Sequence, residues 1–150
     1  MSILDVVFEP NPVLHQVCDP VKTFDNALES LVSDMFDTMK ANDGIGLAAP
    51  QVGILDRLFI CQVKRKKLVC INPDILAKRG EVVMEEGCLS LPNILAEVHR
   101  AEEIDVAFQD LNGDKQQLTL TGLMAIVFQH EYDHLDGLLI TKTGKITQAG

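Results

Sequence analysis

Apolar residues recur at positions 24, 27, 28, 31, 32, 35, 36 and 39, three or four apart. This spacing predicts an amphipathic helix over Phe24 to Ala41, with Thr23 or Asp25 as its N-cap. A loop of small residues follows, Gly44-Ile45-Gly46-Leu47-Ala48-Ala49-Pro50-Gln51. The pattern then changes period. Leu58 to Val63 and Lys67 to Ile71 are short apolar runs ended by charges or by Asn72-Pro73, as strands are. Glu81 to Glu85 is a further candidate strand. Glu103 to Phe108 alternates polar and apolar residues and meets Gln116 to Leu120 across Asn112-Gly113, the signature of a hairpin.

The last strong pattern is a helix from Gly122 to Leu135, with Thr121 at its N-cap and Gly137 just beyond its end. Its run Leu123-Met124-Ala125-Ile126-Val127-Phe128 is apolar on nearly every side, which predicts a central, buried position. The expected architecture is α+β: antiparallel strands packed around that helix, in a single catalytic domain over residues 1–150. With no repeat or linker, 150 residues suffice for one sizeable core.

Charge narrows the function. The formal net charge is −9, and such a surface repels phosphate backbones, so no nucleic-acid partner is expected. The one basic run, Lys64-Arg65-Lys66-Lys67, lies between two apolar segments and reads as a solvated hairpin tip. No apolar run approaches the ~18 residues of a membrane helix. The first 21 residues hold Asp5, Glu9 and Asp19 but no Lys or Arg, unlike a basic signal-peptide start. A cytoplasmic protein without membrane contact is the expectation. The cysteines stand at 18, 61, 70 and 88 with no C-x-x-C spacing; Cys61 and Cys70 read as small buried hydrophobes.

The buried helix carries His130-Glu131-Tyr132-Asp133-His134. Residues four apart on a helix share a face, about 5–6 Å apart, so both imidazoles can converge on one metal ion. Glu131 projects beside them, where it can hold a water at the metal without ligating the metal itself. Burying such groups unpartnered costs several kcal/mol, which argues against incidental histidines. A third ligand is still needed. Only 16 residues follow His134, and they contain no His, Glu or Cys; Asp136 lies too close along the helix. The upstream candidates are Cys88, His15 and His99. A lone Cys beside Gly is ordinarily a packed core residue, but a two-histidine site short of a ligand changes that balance in favour of Cys88. His15 and His99 stand in polar stretches and read as surface histidines.

Three segments in order, Gly44 to Gln51, Glu86-Gly87-Cys88-Leu89-Ser90 and Gln129 to Leu135, resemble the signature motifs of peptide deformylases. The resemblance spans about residues 1 to 140. It implies a hydrolase that removes the N-formyl group from formyl-methionine at the start of newly made polypeptides, releasing formate. Its metal is expected to be Fe(II), with Zn, Ni or Co also accepted, held by Cys88, His130 and His134. Glu131 becomes the general acid and base, while Gln51 and the backbone N–H of Leu89 become the oxyanion donors. An extended peptide would pair near Gly46 and Gly87 in the manner of an added strand. Ile45, Leu123, Ile126 and Val127 would take the methionine side chain, with plain core packing as the competing reading for Leu123 and Val127.

Two departures from the family pattern bear on partners. Bacterial members generally continue into a long C-terminal helix that helps them meet the ribosome, and here the chain stops at Gly150, so ribosome docking by that route is not expected. Short phage-encoded or divergent members are the better comparison. Some members also carry Arg where this chain has Leu95. Two other function classes compete. A zinc peptidase shares H-E-x-x-H but needs its downstream ligand, and a non-catalytic metal- or peptide-binding protein has no use for an intact Glu131.

Overall fold

The structure is a computed structural model, and it describes residues 2–149. Helix α1 spans Asn26–Ala41 and is capped by Asp25, whose carboxylate accepts the Leu28 N–H at 3.0 Å. Of the two candidate caps, Asp25 therefore fills the role, and it satisfies one of the orphan donors at the helix start. Strands β1 (Gly46–Ala48), β2 (Leu58–Val63) and β3 (Lys66–Arg79) follow, then β4 (Val82–Cys88), β5 (Leu91–Arg100), β6 (Glu103–Gln109) and β7 (Lys115–Thr121). Helix α2 covers Gly122–Leu135, and a short helix α3 (Ile140–Thr143) leads into β8 (Lys145–Gln148).

The strands form two sheets in which every named pairing is antiparallel, in the orders β1-β2-β3-β6-β7 and β4-β5-β8. Helix α2 packs on the first sheet through β1, β2, β6 and β7. Phe128, Val127, Ala125 and Leu135 on α2 join Phe59, Cys61, Val106 and Leu120 in one buried cluster. Helix α1 covers the β1 end of that sheet, setting Leu28, Val32, Met35 and Met39 against Leu47, Leu58, Ile60 and Ile71. The α+β architecture around a buried helix is as the hydrophobic pattern predicts. Lys64 and Arg65 form the exposed turn between β2 and β3.

Three readings need correction. The strand expected to stop at Asn72-Pro73 continues to Arg79, with register shifts after Ile71 and after Ile75. Asn72 takes φ 50° there, and its side chain bonds the Val21 backbone in both directions and Gln109. The chain bends at Asn72 and Pro73 instead of leaving the sheet, which is how a bulge accommodates proline. The hairpin at Asn112-Gly113 is real, but its loop runs over five residues, 110–114, drawn together by the Asp110 carboxylate. Strands β5 and β8 have no counterpart in the pattern reading. Among the described residues, no helix is long and apolar enough to cross a membrane.

Candidate metal centre

Helix α2 places His130 and His134 on one face, with ring centroids 5.1 Å apart. Cys88 arrives from the other sheet, at the end of β4, and its Sγ lies 3.4 Å from His134 Nε2. One donor atom from each of Cys88, His130 and His134 lies within 4.8 Å of the others. His15 and His99 stay at the surface beside Glu9 and Glu81, so neither reaches this cluster. Cys18, Cys61 and Cys70 are buried elsewhere in the core.

Ionisation differs between the two histidines. His134 is held well below the ordinary histidine range by burial and by the neighbouring charges of His130 and Arg100, which leaves one ring nitrogen's lone pair free. Burial opposes charge on His130 too, but hydrogen bonds to Cys88 and Glu86 outweigh it and push its pKa up to about 10. In the metal-free protein that proton sits on His130, and a metal held there would take its place. One thiolate and two imidazoles are donors that borderline-soft divalent cations take, and a three-ligand set leaves a position open for chemistry.

Glu131 sits beside this cluster at 5% exposure, and its Oε1 has no protein partner among the described residues. Burial lifts its carboxyl to about 7, against the lowering influence of His130 and Arg100. Gln51 is buried on the 3-10 turn Ala49–Val52; its Oε1 accepts the Ala48 N–H, and its Nε2 points toward Cys88 Sγ at 3.5 Å and Ser90 Oγ at 3.3 Å. Leu89 follows Cys88 directly, and its side chain is anchored in the α1 cluster.

A cavity of about 200 Å³ opens beside His130 and Glu131. Ile45, Leu123, Ile126 and Val127, the residues expected to take a methionine side chain, line it together with Gly87, and Gly46 abuts Glu131. Leu123 and Ile45 are 42% and 45% exposed, so both are mouth residues and not core. Ile126 and Val127 are buried and form the floor.

Two contributors were not assigned a role from sequence. Met84 also lines the cavity, and alternation along β4 puts it on the same face as Glu86. Glu86 accepts the His130 Nδ1 proton at 2.8 Å and receives Arg100 through two bonds, at 2.9 and 3.0 Å. Arg100 in turn reaches Asp133 at 2.6 Å. A carboxylate on Nδ1 fixes the tautomer and leaves Nε2 for the cation. Glu86 stands inside a quoted motif, but nothing in its spacing tells that it faces α2.

The comparisons with known proteins agree with this geometry. The family model described as polypeptide deformylase matches residues 3–148. The peptide deformylase of Acidobacterium capsulatum is 46% identical over 144 residues, covering 93% of this chain and 85% of that protein. Peptide deformylase 1 of Bacillus anthracis is 45% identical over 150 residues, covering 99% of this chain and 95% of its own. The crystal structure of peptide deformylase from Thermotoga maritima superposes with a TM-score of 0.94 at 40% identity, covering 97% of this chain and 99% of that one. Fold, sequence and the donors gathered around α2 lead to one conclusion: the chain belongs to the polypeptide deformylase family.

Proposed function

We propose how the family's reaction, metal-dependent removal of the N-formyl group from new polypeptides with release of formate, runs on the residues of this chain. Cys88, His130 and His134 hold the metal, with Fe(II) as the first assignment and Zn, Ni or Co compatible with the same donors. When bound, it supplies the Lewis acidity that makes hydroxide available near neutral pH.

The formyl-methionyl end enters between the exposed Gly87 and the buried β1 residue Gly46, pairing as an added strand. Its methionine side chain fills the cavity formed by Ile45, Leu123, Ile126 and Val127. Burying such a side chain is worth roughly 1.5–3 kcal/mol and holds the formyl carbon beside Glu131. Water oxygen adds to that carbon while Glu131 takes one of its protons. The Gln51 amide and the Leu89 N–H donate to the oxygen that becomes anionic, from positions set before the reaction. The C–N bond then breaks, Glu131 returns the proton to the departing nitrogen, and formate and a free amino terminus result. A carboxyl lifted to about 7 is matched to proton transfer at neutral pH. The reaction takes place in the cytoplasm, where formylated chains are made.

The observation that carries this reading is a buried Glu131 oxygen, without a partner among the described residues, beside three converging donors. Formate release from a formyl-methionyl tripeptide tests it, with the acetylated and unblocked tripeptides alongside. Cleavage of internal bonds in place of formate release would return the chain to the zinc-peptidase reading.

A further inference from the structure

The two halves of the metal cluster come from different sheets. The histidines ride on α2, which packs on the five-stranded sheet, whereas Cys88 belongs to the three-stranded one. Something must hold the sulfur in register with the rings. One link between the sheets is only two residues long, Ala101 and Glu102, between the end of β5 and the start of β6.

Gln129 grips that link. Its Oε1 accepts the Ala101 N–H at 2.9 Å, and its Nε2 donates to the Ala101 carbonyl at 2.9 Å and to the Ala125 carbonyl at 3.0 Å. The side chain is 4% exposed, so each bond is made out of water and none is easily exchanged for solvent. The neighbours of both partners belong to the site: His130 follows Gln129 on α2, and Arg100 precedes Ala101 on β5. From there Arg100 holds Glu86, two residues before Cys88. A path of hydrogen bonds thus runs from the helix to the inter-sheet link and down the strand toward the sulfur.

We infer that Gln129 is a positioning residue that sets the distance between Cys88 and the two imidazoles by fastening α2 to the inter-sheet link at Ala101, and so tunes metal affinity. The inference rests on the ligand assignment above. Gln129 lines no part of the cavity and bonds only the backbone of Ala101 and Ala125 among the described residues, so it acts through the Ala101 link.

Gln129→Met keeps side-chain length while removing both amide partners of Ala101. With Co(II) as the probe metal, read by its thiolate charge-transfer band against a competing chelator, affinity falls about tenfold, as for other residues that orient ligands. Val32→Ala, in the α1 cluster and away from Ala101, loosens the fold yet keeps the parent cobalt affinity. Parent-like affinity and band energy in Gln129→Met overturn the inference, as does an equal affinity loss in Val32→Ala. If Gln129→Met does not fold, the unaltered protein supplies the answer: stripping its metal speeds hydrogen exchange at the Ala101 amide, because coupling between sites is reciprocal. Unchanged exchange at Ala101 overturns it. Absence of the charge-transfer band in the unaltered protein removes Cys88 as a ligand, and with it the premise.

Discussion

A Cβ added to Gly46 would lie 2.5 Å from Glu131 Oε2 and 2.9 Å from its Cδ. Glycine at 46 is therefore what lets β1 run against the carboxylate that α2 presents. Gly46→Ala pushes that carboxylate aside while leaving Cys88, His130 and His134 untouched. The expected result is a loss in kcat on the order of 10², since a displacement near 1 Å at a reacting group has that effect, with metal content by elemental analysis at the parent value. Loss of metal in step with kcat contradicts it.

Glu131→Gln removes the proton carrier but keeps the shape. Deformylation falls by about 10²–10⁴-fold and metal binding persists. Near-normal turnover removes Glu131 from the base role.

The same substitution has a pH-dependent effect on stability in the metal-free protein. Burial raises the Glu131 carboxyl from 4.5 to about 7, so the folded state binds this proton more tightly than the unfolded state does. The carboxyl's contribution is fully favourable at acid pH and is lost as pH rises from its unfolded value through about 7. Denaturant titrations at pH 4.5 and pH 8 should show Glu131→Gln gaining on the parent only at the higher pH, by up to roughly 3 kcal/mol. A constant difference across that range contradicts the burial account.

The four thiols separate by environment. Burial pushes Cys18 and Cys61 up to about 12 and Cys70 well above the usual thiol range, whereas Cys88 is half-buried in the donor cluster. Thiolates, not thiols, are alkylated. Mass spectrometry after brief alkylation at pH 7.5 should find modification at Cys88 alone, and only once a chelator has removed the metal.

Glu86 carries two duties, and Glu86→Ala fails in both. Arg100, 7% exposed, is left with Asp133 as its one carboxylate partner among the described residues, and His130 loses the acceptor that fixes its tautomer. A thermal melt should report destabilisation of about 3–5 kcal/mol, and metal affinity should fall about 10–100-fold. A loss of stability without a loss of affinity confines Glu86 to the ion pair.

Much of this was legible along the chain. The α2 bounds, the β2 bounds and the hairpin of β6 and β7 follow from period and turn chemistry, because each buries one face or stripe of its own residues. Strand β5 was hidden for a physical reason. Ala96, Val98 and Arg100 alternate inward with Leu95, Glu97 and His99 outward, but the third inward position is a charge, and only Glu86 and Asp133 make its burial tolerable. Strand β8 carries no signal of its own. All four of its residues are exposed, and it is a strand because the edge of β5 offers it hydrogen bonds.

The sequence by itself determined the chemistry that can be done, since two histidines four apart on a buried helix, a carboxylate between them and one distant cysteine are fixed by residue type and helical spacing. Tertiary structure alone decided that the sulfur and Glu86, both from β4, and the Gln51 amide, from the 3-10 turn, arrive together at that helix. Those meetings depend on how two sheets dock, and docking is set by pairings such as Gln129 with Ala101 and Arg100 with Asp133, between residues that no local periodicity relates.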